Sequence, residues 1–321
     1  MKQKILIVQP ISEQGMRVFD DRFEVRVAPD PSVATIIKEI PGVAGVVVRF
    51  APFPREVIEA ADSLKVIARH GVGIEKIDVQ AATEKGIVVV NTPDANTTSV
   101  AEQTLTAIGA LAKRTVYYDR ATREGRWGIQ EGYKTVDLDG KTLGLVGIGR
   151  IGSLVARRTA AAFNMKVIAF DPYIKPAAAE ELGITLCTGI DDVFRQADVV
   201  SLHTPLTPET SKFVNEAKLR LMKPTAFLVN FSRGGVVDEK ALCEALKSGV
   251  IAGAALDVLD PEPPLKDNPL FALDNVLLSP HSAALTQECV IRMAIGVAEG
   301  VVDVLSGRRP QSVVNPKVFE K

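Results

Sequence analysis

The chain has 321 residues, of which 46% are hydrophobic and 24% are charged, a composition that excludes a largely disordered protein. This length predicts about two domains. Lys and Arg total 38 and Asp and Glu total 39, so the net charge of -1 gives no overall electrostatic footprint for nucleic acid.

Short β-rich runs alternate along the chain with longer helical patterns. Several of these runs are continuously apolar, which is typical of strands covered on both faces, as in parallel sheets. The alternation therefore predicts an α/β protein. The predicted strands are residues 4–8, 43–48, 66–69, 87–90, 143–146, 166–170, 199–202, 226–230, 253–256 and 276–278, and the clearest helices are residues 99–113, 151–163, 239–248 and 287–306.

The predicted strands form two groups, separated by helix 99–113 and a polar stretch at residues 122–140. A second long helix, residues 287–306, follows the later group. We therefore expect a first domain of residues 1–97 plus 287–321, interrupted by a second domain of residues 98–286. The predicted fold is two Rossmann-like α/β domains with parallel sheets, in which a cofactor domain is inserted into a discontinuous substrate domain.

No apolar run approaches the roughly 18 residues that cross a membrane. The apolar stretch near the start, residues 5–8, is too short for a secretory signal, so we expect a cytoplasmic protein with no membrane partner. Cys187, Cys243 and Cys289 have neither disulfide nor metal-site spacing. We expect buried thiols and no metal, and a catalytic cysteine is the alternative.

Residues 143–152, LGLVGIGRIG, place Gly147, Gly149 and Gly152 in the spacing G-x-G-x-x-G between a predicted strand and a predicted helix. Such glycines allow a tight turn, close approach of a pyrophosphate and close packing of the helix on the strand. Asp171 ends the next strand, where an acid accepts hydrogen bonds from the ribose of NAD and repels the 2′-phosphate of NADP. The pattern predicts NAD, although a glycine-rich turn with Asp171 as a helix cap would also produce it.

Arg233, Glu262 and His281 each lie shortly after a predicted strand of the second group. Because ligands of open α/β sheets bind outside the carboxyl ends of the strands, these side chains can converge. Arg233 could bind the carboxylate of a 2-oxo acid, His281 could exchange the proton on its C2 oxygen, and Glu262 could orient the imidazole. The alternatives are a surface ion pair for Arg233, a solvated loop position for Glu262 and a cap for His281.

The segments GIGRIG, HTPLTPET, NFSRGGVVDE, AALDVLDPEPP and SPH occur in this order and together resemble the D-isomer-specific 2-hydroxyacid dehydrogenase family, from about residue 43 to residue 306. The resemblance implies an NAD-dependent oxidoreductase that acts on CH–OH groups of small 2-hydroxy or 2-oxo acids. It also implies a homodimer. The implied catalytic residues are Arg233, Glu262 and His281.

Further site residues are carried over from the resemblance. The implied cofactor contacts, beside the three glycines and Asp171, are Arg150, Ile151, Pro172, His203, Thr204, Pro205, Thr210, Phe231, Ser232 and Asp257. Among them, Thr210 would contact the pyrophosphate and Asp257 the nicotinamide carboxamide. At the substrate, the backbone N–H groups of Val72 and Gly73 would bind the carboxylate, and Asn96 would face the nicotinamide side.

Within the family, the first domain is most similar to members that act on 3-phosphoglycerate. Arg49 and Arg69 stand where those members direct arginines at the substrate phosphate, although Arg49 could instead form a structural salt bridge. We therefore favour 3-phosphoglycerate and phosphohydroxypyruvate as substrates. Reduction of hydroxypyruvate or glyoxylate is the alternative, phosphite oxidation is a minor one, and a non-enzymatic NAD(H)-sensing protein is an alternative of a different class.

Three features depart from the family pattern. His70 replaces a residue that is usually small, and residues 282–285, SAAL, lack the usual glycine after His281. The sequence ends at Lys321, from which we expect a short form without a regulatory domain. Trp127 follows the central helix and is expected either at the dimer interface or in the core of its own chain.

Overall fold

The computed structural model describes residues 2–131 and 135–320. These residues form two compact units. One comprises the described residues up to Asn96 together with those from Ala284 onward, and the other is Thr97–Ala283. The second unit interrupts the first in sequence, and its limits lie one and three residues before the limits we predict.

Each unit contains one parallel sheet. The strands are β1 (Gln3–Ile7), β2 (Phe23–Val27), β3 (Val43–Val48), β4 (Val66–Arg69), β5 (Val88–Val90), β6 (Thr142–Val146), β7 (Lys166–Phe170), β8 (Thr185–Leu186), β9 (Val199–Leu202), β10 (Phe227–Asn230), β11 (Gly253–Leu256) and β12 (Val276–Leu278). The first sheet has the order β2-β1-β3-β4-β5, and the second has the order β12-β11-β10-β9-β6-β7-β8. The prediction of two parallel α/β domains is confirmed.

Helices connect the strands in both units. They are α1 (Glu13–Met16), α2 (Val33–Glu39), α3 (Arg55–Ala60), α4 (Val79–Glu84), α5 (Thr97–Lys113), α6 (Thr115–Arg123), α7 (Arg150–Phe163), α8 (Pro176–Glu181), α9 (Ile190–Gln196), α10 (Glu216–Leu219), α11 (Glu239–Lys247) and α12 (Gln287–Leu305). Short 3₁₀ helices occupy Trp127–Glu131, Gly234–Val236, Pro269–Ala272 and Pro316–Phe319.

Helices cover both faces of the first sheet. Alternate residues of β1, β3 and β4 pack against α12 on one face, and the intervening residues pack into a second core on the other face. All six residues of β3 are buried as a result. This two-sided burial explains why these strands are continuous apolar runs in the sequence.

The ten predicted strands all occur, with ends within one residue of the prediction. Two strands, β2 and β8, have no counterpart in the prediction. The edge strand β2 reads FEVRV, whose interrupting charges point away from the core, and β8 has only two residues. The predicted polar stretch 122–140 begins inside α6 and includes a 3₁₀ helix, and its residues 132–134 lie outside the described part of the chain.

Both sheets have a topological switch point, where neighbouring strands send their connections to opposite faces. In the first sheet it lies between β1 and β3, and in the second between β9 and β6. Ligands of such sheets bind outside the carboxyl ends of the strands at this point. The residues that follow these strands are therefore the first to consider for function.

Candidate active site

A glycine loop joins β6 to α7 at the switch point of the second sheet. Gly147 has φ +93°, and a Cβ there would lie 2.7 Å from the backbone oxygen of His203. A Cβ on Gly152 would lie 2.4 Å from the backbone oxygen of Gly147, so the start of the helix packs directly on the loop. A Cβ on Gly149 would meet no atom of the described residues within 4 Å, which leaves open space in front of the helix N-terminus.

Asp171 follows β7 and holds this loop. Its Oδ2 accepts the backbone N–H of Ile148 at 2.7 Å, and its Oδ1 accepts that of Tyr173 at 2.8 Å. A carboxylate has lone pairs for further donors, such as ribose hydroxyls. These three features together fit a dinucleotide. They are a turn that requires glycine, open space before a helix N-terminus that has no side-chain cap, and the Asp171 carboxylate.

His203 and Thr204 follow β9, the neighbour of β6. Burial lowers the pKa of His203 to about 4, so its imidazole is neutral near pH 7. Its Nε2 lies 3.0 Å from the Oγ of Ser201. The Oγ1 of Thr204 is buried and has no hydrogen-bond partner among the described residues, so it remains available to a ligand.

The other implied cofactor residues have local roles in the fold. The hydroxyl of Thr210 donates to the backbone oxygen of Pro205 at 2.7 Å and accepts the N–H of Thr207 at 2.7 Å, so it is committed to its own loop. Ser232 donates to the side chain of Asn230, and Phe231 beside it is buried. Arg150 and Ile151 begin α7, and Pro172 follows Asp171.

The structure brings His281 and Glu262 into direct contact. The Nδ1 of His281 lies 2.8 Å from Oε2 of Glu262, and the Oε1 of Glu262 accepts the backbone N–H of Leu259 at 3.3 Å. The hydrogen bond with Glu262 raises the pKa of His281, although burial and the charge of Arg233 oppose it. For Glu262, burial raises the pKa, but the bond to His281 and the positive charges of His281 and Arg233 outweigh it and lower the pKa. The positive charge of Arg233 therefore lies close enough to act on both Glu262 and His281.

Asp257 holds the backbone that carries His281. His281 has φ +50°, a left-handed conformation that is uncommon for a residue other than glycine. Its N–H donates to the backbone oxygen of Asp257 at 2.7 Å. The buried Asp257 carboxylate accepts the N–H groups of Ser282 and Ala283 at 2.8 and 2.9 Å and the hydroxyl of Ser279 at 2.5 Å.

The family resemblance implies a nicotinamide contact for Asp257. In the structure, these hydrogen bonds tie the Asp257 carboxylate to the loop of His281. Ser279 is a further site residue that is not predicted from the sequence. Only its position could have indicated it, because Ser279 follows β12 and β12 pairs with β11, the strand that precedes Asp257.

A cavity of about 370 Å³ lies beside the Glu262–His281 pair. Its walls are mostly apolar, which is typical of a small-molecule site with a few polar groups. It is lined by Asp257, Leu259, Glu262, Pro263, Pro264, Phe271, Leu278, Ser279, Pro280 and His281.

In the first unit, Arg49 and Arg69 both lie near the half-exposed ring of Phe50. Their guanidinium carbons lie 5.1 and 6.0 Å from the ring centroid. His70 is buried beside them, and burial together with the charges of Arg49 and Arg69 lowers its pKa to about 4. Arg49 forms no ion pair with a carboxylate among the described residues, so its interpretation as a structural salt bridge is wrong.

The loop after His70 carries the predicted carboxylate site. The backbone N–H groups of Val72 and Gly73 donate no hydrogen bond within the described part of the chain, and both residues are partly exposed. The Oδ1 of Asn96 is buried and likewise lacks a partner there. These groups remain available to a ligand.

The exposure of the cysteines and of Trp127 tests two further predictions. Cys243 and Cys289 are buried, but Cys187 is only partly so, which departs from the prediction. Trp127 is 72% exposed, so the interpretation as a core residue of its own chain is wrong.

Within residues 2–131 and 135–320, no three His, Cys, Asp or Glu residues cluster as metal ligands would, and no helix has the length and apolar content to traverse a bilayer.

The chain is similar to known proteins along its whole length. It is 44% identical over 313 residues to a D-3-phosphoglycerate dehydrogenase of Methanocaldococcus jannaschii, which covers 97% of this chain and 59% of that protein. It is 41% identical over 330 residues to a glyoxylate reductase of Korarchaeum cryptofilum, which covers 100% of this chain and 98% of that protein. The chain thus spans little more than half of the phosphoglycerate dehydrogenases that it matches.

A solved structure and a family model indicate the same family as these relatives. An NADPH-dependent glyoxylate/hydroxypyruvate reductase from Sinorhizobium meliloti, in complex with NADP and malonate, has a TM-score of 0.86 and 30% identity, covering 98% of this chain and 97% of that chain. The model of the D-isomer specific 2-hydroxyacid dehydrogenase NAD binding domain matches residues 105–283. This chain therefore belongs to the D-isomer-specific 2-hydroxyacid dehydrogenase family.

Proposed function

We propose that this chain interconverts a small 2-hydroxy acid and the corresponding 2-oxo acid. The observation that carries the proposal is the 2.8 Å contact between Nδ1 of His281 and Oε2 of Glu262, with the charge of Arg233 close to both. An imidazole bonded to a carboxylate through Nδ1 has Nε2 free to hold the transferred proton. Membership of the family supports the same reaction type.

The three catalytic residues have different tasks. In the reducing direction, protonated His281 gives the proton on Nε2 to the C2 oxygen, and Arg233 binds the substrate carboxylate and polarises the C2 carbonyl. Glu262 fixes the ring of His281 and favours its charged form, while Asp257 holds the backbone of the loop that carries His281. When bound, the nicotinamide cofactor supplies or accepts the hydride. In the oxidising direction, neutral His281 takes the proton back.

We propose 3-phosphoglycerate and phosphohydroxypyruvate as the substrate pair. Two guanidinium groups beside one exposed ring form a cationic surface suited to a phosphate dianion. The N–H groups of Val72 and Gly73, which donate to no acceptor within the described part of the chain, would bind the carboxylate, and Asn96 would be a further substrate contact. The similarity to phosphoglycerate dehydrogenases supports this choice.

We propose NAD as the cofactor. The carboxylate of Asp171 stands at the end of β7, where it would accept the ribose hydroxyls and repel a 2′-phosphate. The S. meliloti structure contains NADP, so family membership alone does not choose between the two cofactors.

Glyoxylate or hydroxypyruvate reduction is the second candidate. The glyoxylate reductase of K. cryptofilum matches this chain over 98% of its own length, which favours this activity. In that case Arg49 and Arg69 would have no phosphate to bind.

The exposed Trp127 supports a homodimer in which the segment after α5 and α6 packs against a second copy. A large aromatic side chain left 72% exposed is a common anchor of such interfaces. Light scattering should give twice the chain mass of 34.5 kDa, and Trp127→Ser should weaken the dimer. A monomeric protein would rule the dimer out.

The substrate proposal is tested by initial rates of NADH oxidation with phosphohydroxypyruvate, hydroxypyruvate, glyoxylate, pyruvate and 2-oxoglutarate at matched concentrations. Preference for phosphohydroxypyruvate would support the phosphate site, and preference for hydroxypyruvate or glyoxylate would support the second candidate. A protein that binds NADH but turns over none of them would favour a sensing role. Repeating the best reaction with NADPH tests the cofactor choice.

A further inference from the structure

The amide side chain of Gln9 organises the turn that carries Arg49. Gln9 lies after β1 and Arg49 lies after β3, so the two residues meet at the switch point of the first sheet. The Oε1 of Gln9 accepts three successive backbone N–H groups, those of Arg49, Phe50 and Ala51, at 2.9, 3.0 and 3.3 Å. Successive N–H groups that converge on one point resemble an anion-binding nest, and here a neutral amide oxygen fills it.

The Arg49 side chain is also fixed at its far end. Its Nη1 donates to the backbone oxygen of Pro10 at 2.8 Å, and its guanidinium lies 5.1 Å from the Phe50 ring centroid. Its Nε is buried and has no partner among the described residues. Residues 9 and 10 therefore hold both the backbone and the head group of Arg49. A side chain held in this way loses less conformational entropy when it binds an anion.

The neutrality of Gln9 matters as much as its position. A carboxylate in the same place could also accept the three N–H groups, but its negative charge would lie beside Arg49. It would then offset part of the positive potential that attracts an anionic substrate. An amide supplies the acceptor and leaves the charge of Arg49 for the ligand.

We propose that Gln9 is a positioning residue that sets the preference of this site for phosphorylated over unphosphorylated substrates. It acts through Arg49 and touches neither the substrate nor the cofactor. The inference rests on the proposed role of Arg49 as a ligand of the substrate phosphate.

The test compares KM and kcat for phosphohydroxypyruvate and hydroxypyruvate in Gln9→Met, which keeps the length of the side chain but removes the acceptor. KM for phosphohydroxypyruvate should rise roughly five- to tenfold, the effect of about one net hydrogen bond on the placement of Arg49. KM for hydroxypyruvate should change less than about twofold. Gln9→Glu, which keeps the acceptor, should raise KM for phosphohydroxypyruvate at least as much because of its charge.

Gln14→Met is the matched control, since Gln14 is an exposed glutamine on α1 of the same unit. It should leave both KM values unchanged. If Gln9→Met fails to fold, Gln9→Glu decides, because it retains the hydrogen-bond acceptor. Equal changes in KM for the two substrates, or no change for either, would overturn the proposal.

A double-mutant cycle separates this inference from the substrate proposal. In an Arg49→Ala background, Gln9→Met should have no further effect on KM for phosphohydroxypyruvate, and an additive effect would overturn the role of Gln9. If Arg49→Ala alone changes both KM values equally, the phosphate site itself is wrong and the inference falls with it. If Arg49→Ala is selective but Gln9→Met is not, only the role of Gln9 fails.

Discussion

Gly234 offers a test of the catalytic geometry through a contact that no other residue type can make. It follows Arg233 directly and packs against the loop that leads to Glu262. A Cβ at Gly234 would lie 2.0 Å from the backbone oxygen and 2.3 Å from the backbone carbon of Leu259. These are backbone atoms, which cannot rotate away as the end of a flexible side chain could.

The size of the effect of Gly234→Ala follows from these distances. Ordinary contact begins at 3.4 Å, so the Gly234 and Leu259 backbones must separate by about 1.4 Å, the difference from 2.0 Å. A shift of Leu259 displaces Glu262, because the Oε1 of Glu262 accepts the N–H of Leu259, and a shift of Gly234 displaces the adjacent Arg233. A displacement of about 1 Å at a reacting group can cost on the order of 10²-fold in rate. We expect kcat to fall by about that factor, and the free energy of unfolding by about 1–3 kcal/mol.

The assay is NADH oxidation with the preferred 2-oxo acid, combined with NADH binding and thermal unfolding of the same samples. Gly109→Ala is the matched control, because outside its own helix a Cβ there meets, among the described residues, only the Phe163 ring at 3.8 Å, and alanine favours the helix α5. It should leave kcat unchanged and should not lower stability. A folded Gly234→Ala protein with kcat within twofold of the unaltered protein would refute the dependence of catalysis on this geometry.

Three further predictions concern His281, Glu262 and Asp171. His281→Ala should lower kcat by about 10²- to 10⁴-fold and leave NADH binding intact, and unchanged turnover in initial-rate assays would remove His281 from the mechanism. Glu262 raises the pKa of His281, so the protonated imidazole stabilises the folded state, fully so below the ordinary histidine pKa of 6.5. This stabilisation is lost as pH rises through the raised pKa. The proton that His281 supplies for reduction is lost over the same pH range. Glu262→Gln should therefore move the alkaline limb of the reduction rate to lower pH in a pH–rate profile, and an unshifted limb would contradict the pairing. Asp171→Ala should reduce the preference for NADH over NADPH, measured as a ratio of kcat/KM values, and an unaltered ratio would argue against a ribose contact.

The elements of this fold could be predicted well because most strands that build a core are marked by largely apolar runs, as in β3. The edge strand β2 lacks that signal, because only Phe23 is buried and charged residues alternate with valines in the rest of the strand. In the same way, the glycine spacing predicts the loop before α7, because Gly147 and Gly152 are required there by sterics that act within one short segment.

The contacts of the site were harder to predict, because they join residues far apart in sequence. The spacing of Asp257 and His281 in the sequence does not show that a carboxylate of the first would bind the backbone after the second. Gln9 lies 40 positions from Arg49, and only the pairing of β1 with β3 brings them together. Sequence patterns identify which residues can carry chemistry, while the register of the sheet decides which of them support one another.

The most direct test of the proposed reaction is chiral analysis of the product formed from phosphohydroxypyruvate and NADH. We expect one equivalent of the D-enantiomer, 3-phospho-D-glycerate, for each NADH oxidised. Formation of the L-enantiomer, or no NADH oxidation by a protein that binds both compounds, would contradict the proposed function.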